Sequence, residues 1–519
     1  MSLRHEGNKD EERYSHVIIK GQQRKLLTFF VFLLSEMKQD YVLSNKSKVT
    51  LTAVFIVAGV LYCLISLVNH YLFKTYALDL GLYTHALYDY AHFRIDDCTM
   101  FKDTPQSILA AHFDLYLVLL SPLVWVFGSY TLLIVQIAAV LLGGWGMYKL
   151  IGLYTDDQRM PLLAVTVFFF SFGILHALSF DYHSNVLTAM IFPWLLYFIK
   201  QGRFGWASLM AVLFVIGKEN LSLWLFFVAI GLMWDYRKDR KTLWYLLGYA
   251  VFALAYFLIV NMLILPKLGG AGISRYDYLG SNYMEIAHRL LTHPGETLRI
   301  LFTNTSDIPA LNGRKAEFYW CALATGMALT LLKPNYLFML IPLVAQKMFS
   351  TDTLFWGVSA HYNVEVMPVI VAASFLVIVK LKKPVSRLVL ALTLLLSTLL
   401  TTFYTIGVTN SFVFLDQICI YQGRHYEQRK FDAPFTRELI QQIPDEASVS
   451  AASMFVPHLA LRNQIYDLDS RPNPNADYVL ITQPYFDKMV YWRKAFPDRD
   501  DYETVATDST IYLLRRKQP

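Results

Sequence analysis

The sequence predicts an α-helical protein that crosses a membrane many times and carries a small α/β domain at its C-terminus. Of its 519 residues 55% are hydrophobic and only 17% are charged, which is too apolar for an ordinary soluble domain. Apolar runs of about 15 to 24 residues recur from Thr50 to Gly407, and helices of that length span a hydrocarbon core of roughly 30 Å. After Gly407 the composition changes to short mixed segments.

Residues 1–49 are predicted to form a cytoplasmic N-terminal segment. They are rich in charge and end in KSK (46–48), so they are too long and too polar for a secretory signal. The apolar stretch LLTFFVFLLSEM (26–37) is too short to span a bilayer. We expect it to lie in the membrane interface as an amphipathic helix.

The transmembrane domain is predicted to cover residues 50–409, with about eleven crossings. Lys and Arg near helix ends are retained in the cytoplasm, so DYRKDRK (235–241) and KLKKPVSR (380–387) mark one side. KSK and Lys200/Arg203 mark the same side, and five apolar segments lie between them. Because an odd number of crossings cannot return the chain to that side, we interpret 108–127 as a helix on the outer face that does not cross. GKEN (217–220) is predicted to be a hairpin tip within the outer leaflet, between two short crossings. The other nine crossings are predicted at 50–73, 130–153, 161–178, 185–200, 242–265, 316–332, 335–349, 361–380 and 385–407.

Residues 410–519 are predicted to form a soluble α/β domain. The same parity leaves the chain on the outer, extracytoplasmic side after Gly407, so this domain faces the periplasm or exterior. ELIQQIP, ASVSAA, ADYVLIT and TIYLLRR have the patterns of short helices and strands. Its His458 and Arg462 are expected to be structural.

Ionisable residues are predicted to collect on the outer side of the membrane. Such groups cost at least about 2.5 kcal/mol each at membrane depth unless they face a cavity or a partner, so a cluster of them indicates a site. Carboxylate, imidazole and ammonium groups together suit a substrate with hydroxyls and a phosphate. The predicted site residues are Asp79, His112 and Asp114 in the first outer loop (74–129), Asp181 and His183 in one outer turn, Lys218 and Glu219 in GKEN, and His361 and Glu365 at positions i and i+4 of one helix face.

Several of these residues also have a structural interpretation. Asp181, Ser184 or Asn185 would in that case cap the helix that starts near Val186. Lys218 and Glu219 would neutralise each other at a hairpin tip. His361 and Glu365 form a weak metal signal, because two residues are too few to define a metal site. The other acids of the first loop are expected to lie in solvent: Asp89, Asp96, Asp97 and Asp103.

Several function classes lack support in the sequence. There is no Walker loop, no GxGxxG that opens a helix, no HExxH and no GxSxG, so soluble nucleotide hydrolysis and hydride transfer are not indicated. The four cysteines show neither metal-ligand spacing nor a disulfide framework. The net charge of +6 comes mainly from loops of cytoplasmic type, so nucleic acid is not an implied partner.

The order of the motifs from residue 70 to 519 resembles a family of predicted bacterial membrane proteins of unknown function. The motifs that carry this resemblance are LDLGLYTHALYDY, AAHFDLYLVLLSPLVWVFGS, FDYHSN, GKEN, HYNVEVMP, IPDEASVSAASMFVPHLALR and ADYVLI. Its layout is similar to that of the C-type glycosyltransferase superfamily (GT-C). Those enzymes transfer a sugar from a polyprenyl phosphate carrier in an outward-facing cavity.

The resemblance implies roles for the predicted residues. Asp79 takes the place of the first-loop catalytic acid, although LDLG lacks the acidic pair of several such enzymes. Segment 108–127, which ends in FGS, matches the helix before the second span. Lys218 and His183 are expected to bind the carrier phosphate, and His361 with Glu365 to shape the sugar pocket or hold a divalent cation. His112, Asp114, Asp181 and Glu219 are expected to contribute to substrate binding.

The main hypothesis is therefore a membrane glycosyltransferase of the inner membrane that uses a polyprenyl-phosphate-linked sugar, with a glycan, lipid or protein acceptor. The alternative is a transporter or flippase of a lipid-linked or anionic solute. Transporters more often show internal repeats and broken helices, and the sequence shows no clear repeat. A third hypothesis, a scaffold with the outer domain as binding module, would not need so many crossings.

Overall fold

The computed structural model describes residues 44–101, 106–270, 274–407, 417–483 and 501–517. The predicted interfacial helix 26–37 lies outside the described residues, as does nearly all of segment 1–49. The first half of the described chain contains α1 Asn45–Tyr71, α2 Leu82–Ala91, α3 Tyr116–Leu120, α4 Val124–Phe127, α5 Thr131–Gly152, α6 Arg159–Phe169, α7 Phe172–Ser179, α8 Ser184–Lys200, α9 Phe204–Val215, α10 Leu221–Asp235, α11 Arg240–Ile259 and α12 Leu265–Lys267.

The second half contains further helices and then the small domain. The helices are α13 Tyr283–Thr292, α14 Pro294–Phe302, α15 Arg314–Ala322, α16 Ala328–Thr330, α17 Pro334–Met348, α18 Val366–Ile378, α19 Pro384–Gly407, α20 Ala433–Gln441 and α21 Val456–Leu459. The strands are β1 Val449–Ala451, β2 Ile465–Asp467, β3 Tyr478–Thr482, β4 Tyr502–Thr507 and β5 Ile511–Arg516.

The predicted membrane helices are present, and many are shorter than a full span. Among the described residues four continuous helical stretches are long and apolar enough to cross a membrane: Asn45–Tyr71, Tyr116–Gly152, Arg240–Lys267 and Pro384–Gly407. The pair α6 and α7 forms one further candidate span, bent by 41° at its break. Helices α8, α9, α10 and α18 are apolar but have only 10–17 residues. The number of about eleven crossings stays a prediction.

Two predicted helices differ from the structure. The segment 108–127 is not one helix, because it begins with a short 3-10 turn and becomes α-helical only at Tyr116. Its apolar side chains Trp125 and Val126 are half exposed, as expected for a helix in a membrane interface. The predicted span 316–332 is broken at Gly326, whose φ of 134° no other residue adopts readily.

The C-terminal domain has the predicted α/β composition. Its five described strands form one mixed sheet in the order β2-β1-β3-β5-β4, with β1 parallel to β2 and β3, and with β5 antiparallel to β3 and β4. Strands β1, β3 and β5 coincide with the predicted ASVSAA, ADYVLIT and TIYLLRR segments. Arg462 is structural, since its guanidinium donates to the carbonyls of Leu459, Pro444 and Ala447.

The C-terminal domain packs on the first outer loop. Phe73, Ala77 and Met100 belong to the same apolar core as the domain. The backbone N–H of Ala77 donates to Ser453 Oγ at 3.1 Å. At Gly81 a Cβ would come within 2.9 Å of Val456 Cγ1, so glycine permits this close approach. The domain therefore fixes the turn that carries Asp79.

Candidate functional site

Asp79 lies in a π-helical turn, Ala77–Gly81, immediately before α2. Turns of this kind are rare and often occur at functional sites. The carboxylate of Asp181 supports the turn, because its Oδ2 accepts hydrogen bonds from the backbone N–H groups of Tyr76 (3.2 Å) and Leu80 (3.5 Å). The side chain of Asp79 remains 24% exposed.

The turn with Asp181 and His183 is held by a glutamine on α5. Gln136 donates from Nε2 to the carbonyl of Asp181 at 2.9 Å, and its Oε1 accepts from the backbone N–H of His183 at 2.9 Å. Asp181 adopts a left-handed φ of 47°, which aspartate tolerates better than most residues. Gln136 was not among the predicted site residues, since a lone glutamine within an apolar helix gives no sequence signal.

His183 connects Asp79 to His361. Its Nε2 lies 3.4 Å from Asp79 Oδ1. The rings of His183 and His361 stack with centroids 3.4 Å apart and planes 19° apart. Burial is the largest cause that lowers the pKa of both imidazoles, so both are neutral at pH 7. The Nδ1 atoms of both rings are buried and have no hydrogen-bond partner among the described residues.

Asp79 is ionised in this environment. Burial alone would raise its pKa, but His183, followed by Lys218 and His112, lowers the pKa below its usual value. The opposite holds for Asp181, because burial and then the nearby charge of Asp79 raise its pKa to about 8. Two neighbouring carboxyl groups therefore differ in charge at neutral pH, with Asp79 negative and Asp181 neutral.

The GKEN turn joins α9 to α10, as predicted, and the first outer loop binds it. Glu219 Oε1 lies 3.2 Å from His112 Nδ1, and its Oε2 accepts from the backbone N–H of Phe113 at 3.0 Å. Burial alone would raise the pKa of Glu219, but His112 helps to lower this pKa to about 2. Glu219 therefore pairs with His112 and forms no ion pair with Lys218, so the interpretation in which Lys218 and Glu219 neutralise each other is wrong.

Gly217 allows the GKEN turn to sit close to its neighbours. A Cβ there would lie 2.2 Å from Thr188 Oγ1 and 2.7 Å from a ring carbon of Tyr116. The turn is also tied to the first loop by a hydrogen bond from Leu115 N–H to the Ile216 carbonyl at 2.9 Å. These contacts fix the backbone on which Lys218 stands.

The ammonium of Lys218 is free to meet a ligand. It makes no hydrogen bond or ion pair with any of the described residues, and the side chain is partly exposed and lines a cavity. A second lysine of this cavity, Lys347, is occupied in contrast, since it donates to the carbonyls of Phe355 and Gly357. Lys218 is thus the lysine available to bind an anion.

Asp114 lies just before α3 and is buried at 2% exposure. Its Oδ1 accepts from the backbone N–H of Tyr116 at 3.0 Å. Burial raises the pKa of its carboxyl to about 7. Asp114 does not line the cavity. It contacts the backbone of the first outer loop at Tyr116.

His361 and Glu365 do not share a helix face, which corrects the prediction. They lie in a turn that ends where α18 begins at Val366. Both nevertheless line the cavity. Asn185 bridges them, because its Nδ2 donates to Glu365 Oε1 at 2.7 Å and is 3.4 Å from the His361 carbonyl. Asn185 therefore does not act as a helix cap.

The residues present do not form a divalent cation site at His361 and Glu365. Neither belongs to a group of three His, Cys, Asp or Glu donors within 4.8 Å, among the described parts of the chain. One Glu365 oxygen is already bound to Asn185. A metal site needs more protein ligands than this pair supplies.

The cavity has a volume of about 600 Å³, within the usual size range of ligand sites. Its lining contains both polar and apolar residues. The polar residues include His112, Asn185, Lys218, Glu219, Arg275, His361, Tyr362 and Glu365. The apolar residues include Phe257, Leu265, Leu279, Ile286, Leu290 and Leu343.

The structure brings most of the predicted residues together. His112, Lys218, Glu219, His361 and Glu365 line the cavity directly. Asp79 and His183 adjoin it through the stacked His361. These seven residues are called the cavity cluster below. Asp114 and Asp181 do not line the cavity. Their carboxylates accept hydrogen bonds from backbone N–H groups of the first outer loop.

Residues 69–509 match the family described as "Predicted membrane protein (DUF2079)". The chain belongs to this family. No curated protein matches this DUF2079 chain. The family assignment confirms the expected resemblance over almost the whole length and identifies a membrane protein.

The DUF2079 chain is also similar to solved structures of GT-C proteins. It is 12% identical to the Archaeoglobus fulgidus oligosaccharyltransferase, which was crystallised with a tethered acceptor peptide. That match covers 90% of this chain and 74% of the other, with a TM-score of 0.42. It is 11% identical to ArnT from Cupriavidus metallidurans bound to undecaprenyl phosphate, with 91% and 98% covered and a TM-score of 0.45.

Proposed function

We propose that this protein is a membrane glycosyltransferase that takes a sugar from a polyprenyl-phosphate donor at an outward-facing cavity. The observation that supports the proposal is the mixed lining of the cavity. Lys218, which has no hydrogen-bond or ion-pair partner among the described residues, lines the same cavity as carboxyl, imidazole and apolar side chains. A lipid-linked sugar phosphate has this distribution of charge and apolar surface.

Lys218 binds the donor phosphate in this proposal. An ammonium without a protein partner gains a charge-assisted hydrogen bond when a phosphate oxygen enters. Arg275 lines the same cavity, while its guanidinium carbon lies 4.9 Å from the centroid of the Phe355 ring. The first isoprene units then lie along Phe257 and Leu265, where apolar contact excludes water.

Asp79 is the catalytic residue of the proposed reaction. The acceptor hydroxyl attacks the anomeric carbon and its proton passes to the Asp79 carboxylate. The bond between the anomeric carbon and the phosphate oxygen breaks, and polyprenyl phosphate leaves with the bonding electrons. Lys218 stabilises the charge that develops on this leaving group. No oxidant, reductant or further co-reactant is needed.

The other members of the cluster position these two groups. His183 holds Asp79 from one side, while Asp181 holds the backbone on either side of it. His361, Glu365 and Asn185 form a polar wall that suits sugar hydroxyls. Glu219 and His112 bind the GKEN turn to the first loop and so place Lys218.

Binding of undecaprenyl phosphate tests the proposal most simply. The purified chain in detergent should bind undecaprenyl phosphate at least about tenfold tighter than undecaprenol, because a hydrogen bond to a charged group contributes about 1.5–3 kcal/mol. Native mass spectrometry measures both. Equal binding of the two lipids would refute a phosphate site.

A flippase of a lipid-linked solute is the second candidate. The broken pair α6 and α7, bent by 41° just before Asp181, favours it, since discontinuous helices are frequent in transporters. The two candidates differ in covalent chemistry. A flippase moves the lipid intact, whereas a transferase releases polyprenyl phosphate, which chromatography of the lipid products detects.

The proposed orientation follows the loop charges. The site, the first outer loop and the C-terminal domain lie together on one side, and the lysine-rich turns 235–241 and 380–387 are predicted to lie on the other. We propose that the site faces away from the cytoplasm of an inner membrane.

A further inference from the structure

A second group of ionisable side chains lies in the first outer loop, outside the cavity cluster. His85 and Asp89 stand on α2, one turn apart, and Asp97 lies in the loop that follows. One donor atom from each of the three lies within 4.8 Å of the others. His85 and Asp89 are buried, at 2% and 7% exposure.

The burial of Asp89 corrects the expectation that this residue lies in a solvated loop. Asp96 is likewise buried, and Asp103 lies outside the described residues.

The tautomer of His85 is fixed by the C-terminal domain. Its Nδ1 lies 3.1 Å from the carbonyl oxygen of Ala460, so Nδ1 carries the proton and donates. The lone pair of Nε2 is then directed at the acids, with Asp89 Oδ2 at 3.8 Å. A neutral imidazole whose second nitrogen donates to a carbonyl is the usual arrangement of a metal-ligating histidine.

Asp89 and Asp97 each bind a neighbour outside the group through one carboxylate oxygen. Asp89 binds Arg94 through Oδ1 at 2.9 Å. Asp97 accepts from the backbone N–H and hydroxyl of Thr99 through Oδ1, at 3.0 and 2.8 Å. The Oδ2 atom of Asp97 accepts no hydrogen bond from any residue that the structure describes. The contacts therefore orient both carboxylates and leave Oδ2 of Asp89 facing His85 Nε2 at 3.8 Å, with Oδ2 of Asp97 accepting no hydrogen bond from the described residues.

Within the described part of the chain, Asp89 forms an ion pair with Arg94 and Asp97 forms none with Arg or Lys. Two carboxylates face one guanidinium, which is 44% exposed on its side chain, and Asp96 adds a further acid nearby. Like charges brought together in a buried place repel each other unless a cation compensates them. Asp96 itself is occupied, because it accepts from Ser107 Oγ at 2.7 Å and Ile108 N–H at 2.6 Å.

We propose that His85, Asp89 and Asp97 bind one divalent transition-metal cation, Zn²⁺ or Mn²⁺, which fastens the first outer loop to the C-terminal domain. One imidazole nitrogen and two carboxylate oxygens form a ligand set of this class. Metal–ligand distances of about 2.0–2.2 Å place tetrahedral donors about 3.4 Å apart. In the proposed metal-bound state the three donors move from within 4.8 Å of one another to that spacing.

The cation would act at the contact between two parts of the chain. Besides the bond from His85 to Ala460, Arg94 Nη1 donates to Asn463 Oδ1 at 2.8 Å. The same domain packs against the turn that carries Asp79. Loss of the metal should therefore loosen α2 from residues 460–463, and the site has a structural role that is separate from the proposed transfer reaction.

Metal content of the full-length wild-type protein tests the site directly. We expect about one equivalent of Zn²⁺ or Mn²⁺ by inductively coupled plasma mass spectrometry after purification in detergent without chelator. Treatment with EDTA should lower the midpoint of thermal unfolding by about 5 °C, and Zn²⁺ or Mn²⁺, but not Mg²⁺, should restore it. A wild-type protein without bound metal, whose midpoint no added ion raises, overturns the proposal.

Variants locate the cation. His85→Gln and Asp97→Asn should each weaken metal binding at least about 100-fold, beyond the effect of a change outside the ligand set. Asp445→Asn, an exposed acid of the same domain, is the matched control and should bind as wild type. His361→Gln and Glu365→Gln should also retain the metal. If His361→Gln loses the metal and Asp97→Asn keeps it, the cation belongs to the cavity and the proposed site is wrong.

Discussion

The cavity cluster and the group of His85, Asp89 and Asp97 contain similar residue types a few helical turns apart, yet they differ in what surrounds them. In the cavity cluster, Lys218 has no partner among the described residues and Asp79 is partly exposed. In the other group, backbone carbonyls, Arg94 and Thr99 bind the side chains from outside, and the C-terminal domain covers them. We propose that polar residues of the first kind bind a changing ligand and that those of the second kind bind a permanent one.

The difference shows that burial of a charge does not by itself indicate catalysis. The proposed catalytic carboxylate of Asp79 is 24% exposed, and His183 and Lys218 lower its pKa. Asp181 has the same side chain a few ångströms away, but its contacts to Tyr76 and Leu80 are those of a structural residue. The predictions below separate these roles, from the largest effect to the smallest.

Asp79→Asn should remove the proposed transfer reaction. An amide of the same shape cannot accept the acceptor proton, so release of undecaprenyl phosphate from undecaprenyl-phosphate hexoses should fall about 1,000-fold, within the range of about 10²–10⁴ that general base catalysis contributes. Chromatography of the lipid products measures this release. Binding of undecaprenyl phosphate should persist. Wild-type turnover of the variant would show that Asp79 has a structural role and not a catalytic one.

Lys218→Ala should weaken binding of undecaprenyl phosphate by about 10- to 100-fold, because a hydrogen bond to a charged group is lost. Binding of undecaprenol should not change. Lys218→Arg keeps the charge and should retain most of the affinity. Lys241→Ala, an exposed lysine of a predicted cytoplasmic turn, is the control. Native mass spectrometry in one detergent compares all four proteins, and an unchanged affinity of Lys218→Ala would contradict the proposed phosphate site.

Gly217→Ala should disturb the cavity without removing any polar side chain. Its Cβ would overlap Thr188 Oγ1 and the Tyr116 ring, so the GKEN turn must shift and Lys218 with it. We expect a loss of about 1–3 kcal/mol in stability and a lower affinity for undecaprenyl phosphate. Thermal unfolding and native mass spectrometry measure the two effects. Gly205→Ala, where a Cβ meets nothing within 4 Å, should behave as wild type.

Asp181→Asn should change the pH dependence of stability. The folded pKa of Asp181 is about 8, above the value of about 3.9 in an unfolded chain. The folded state therefore holds a proton that the unfolded state releases, and stability falls as pH rises from about 4 to about 8, by at most about 1.4 kcal/mol per pH unit. Asparagine keeps the acceptor oxygen for Tyr76 and Leu80 without this loss.

Thermal unfolding of both proteins at pH 5, 6, 7 and 8 measures the effect. The advantage of Asp181→Asn over wild type should grow across this range. Asp445→Asn should follow the wild-type curve. Parallel curves for wild type and Asp181→Asn would show that Asp181 is already ionised and pairs with a cation.

The sequence predicted the elements better than their breaks. Long apolar runs and the segments of β1, β3 and β5 are determined by local periodicity, so they were found correctly. The 3-10 turn before Tyr116, the bend between α6 and α7 and the break at Gly326 depend on tertiary contacts. At Gly326, for instance, a Cβ would meet Ser374 Oγ at 2.7 Å, and no local pattern encodes that neighbour.

The site was predictable as a set of residues but not as a set of contacts. Loop charge and the cost of ions at membrane depth were sufficient to select Asp79, Lys218 and His361. Sequence could not show that Glu219 pairs with His112, since the two are more than a hundred positions apart. It also gave no reason to choose Gln136 or Asn185, whose amides hold the site from within apolar helices.

A structure of the protein with undecaprenyl phosphate, determined in a lipid nanodisc, tests the central claim most directly. The phosphate should lie within about 3 Å of Lys218 Nζ, with the first isoprene units against Phe257 and Leu265. A lipid phosphate bound elsewhere on the protein, with the cavity filled by water alone, would contradict a polyprenyl-phosphate site at Lys218.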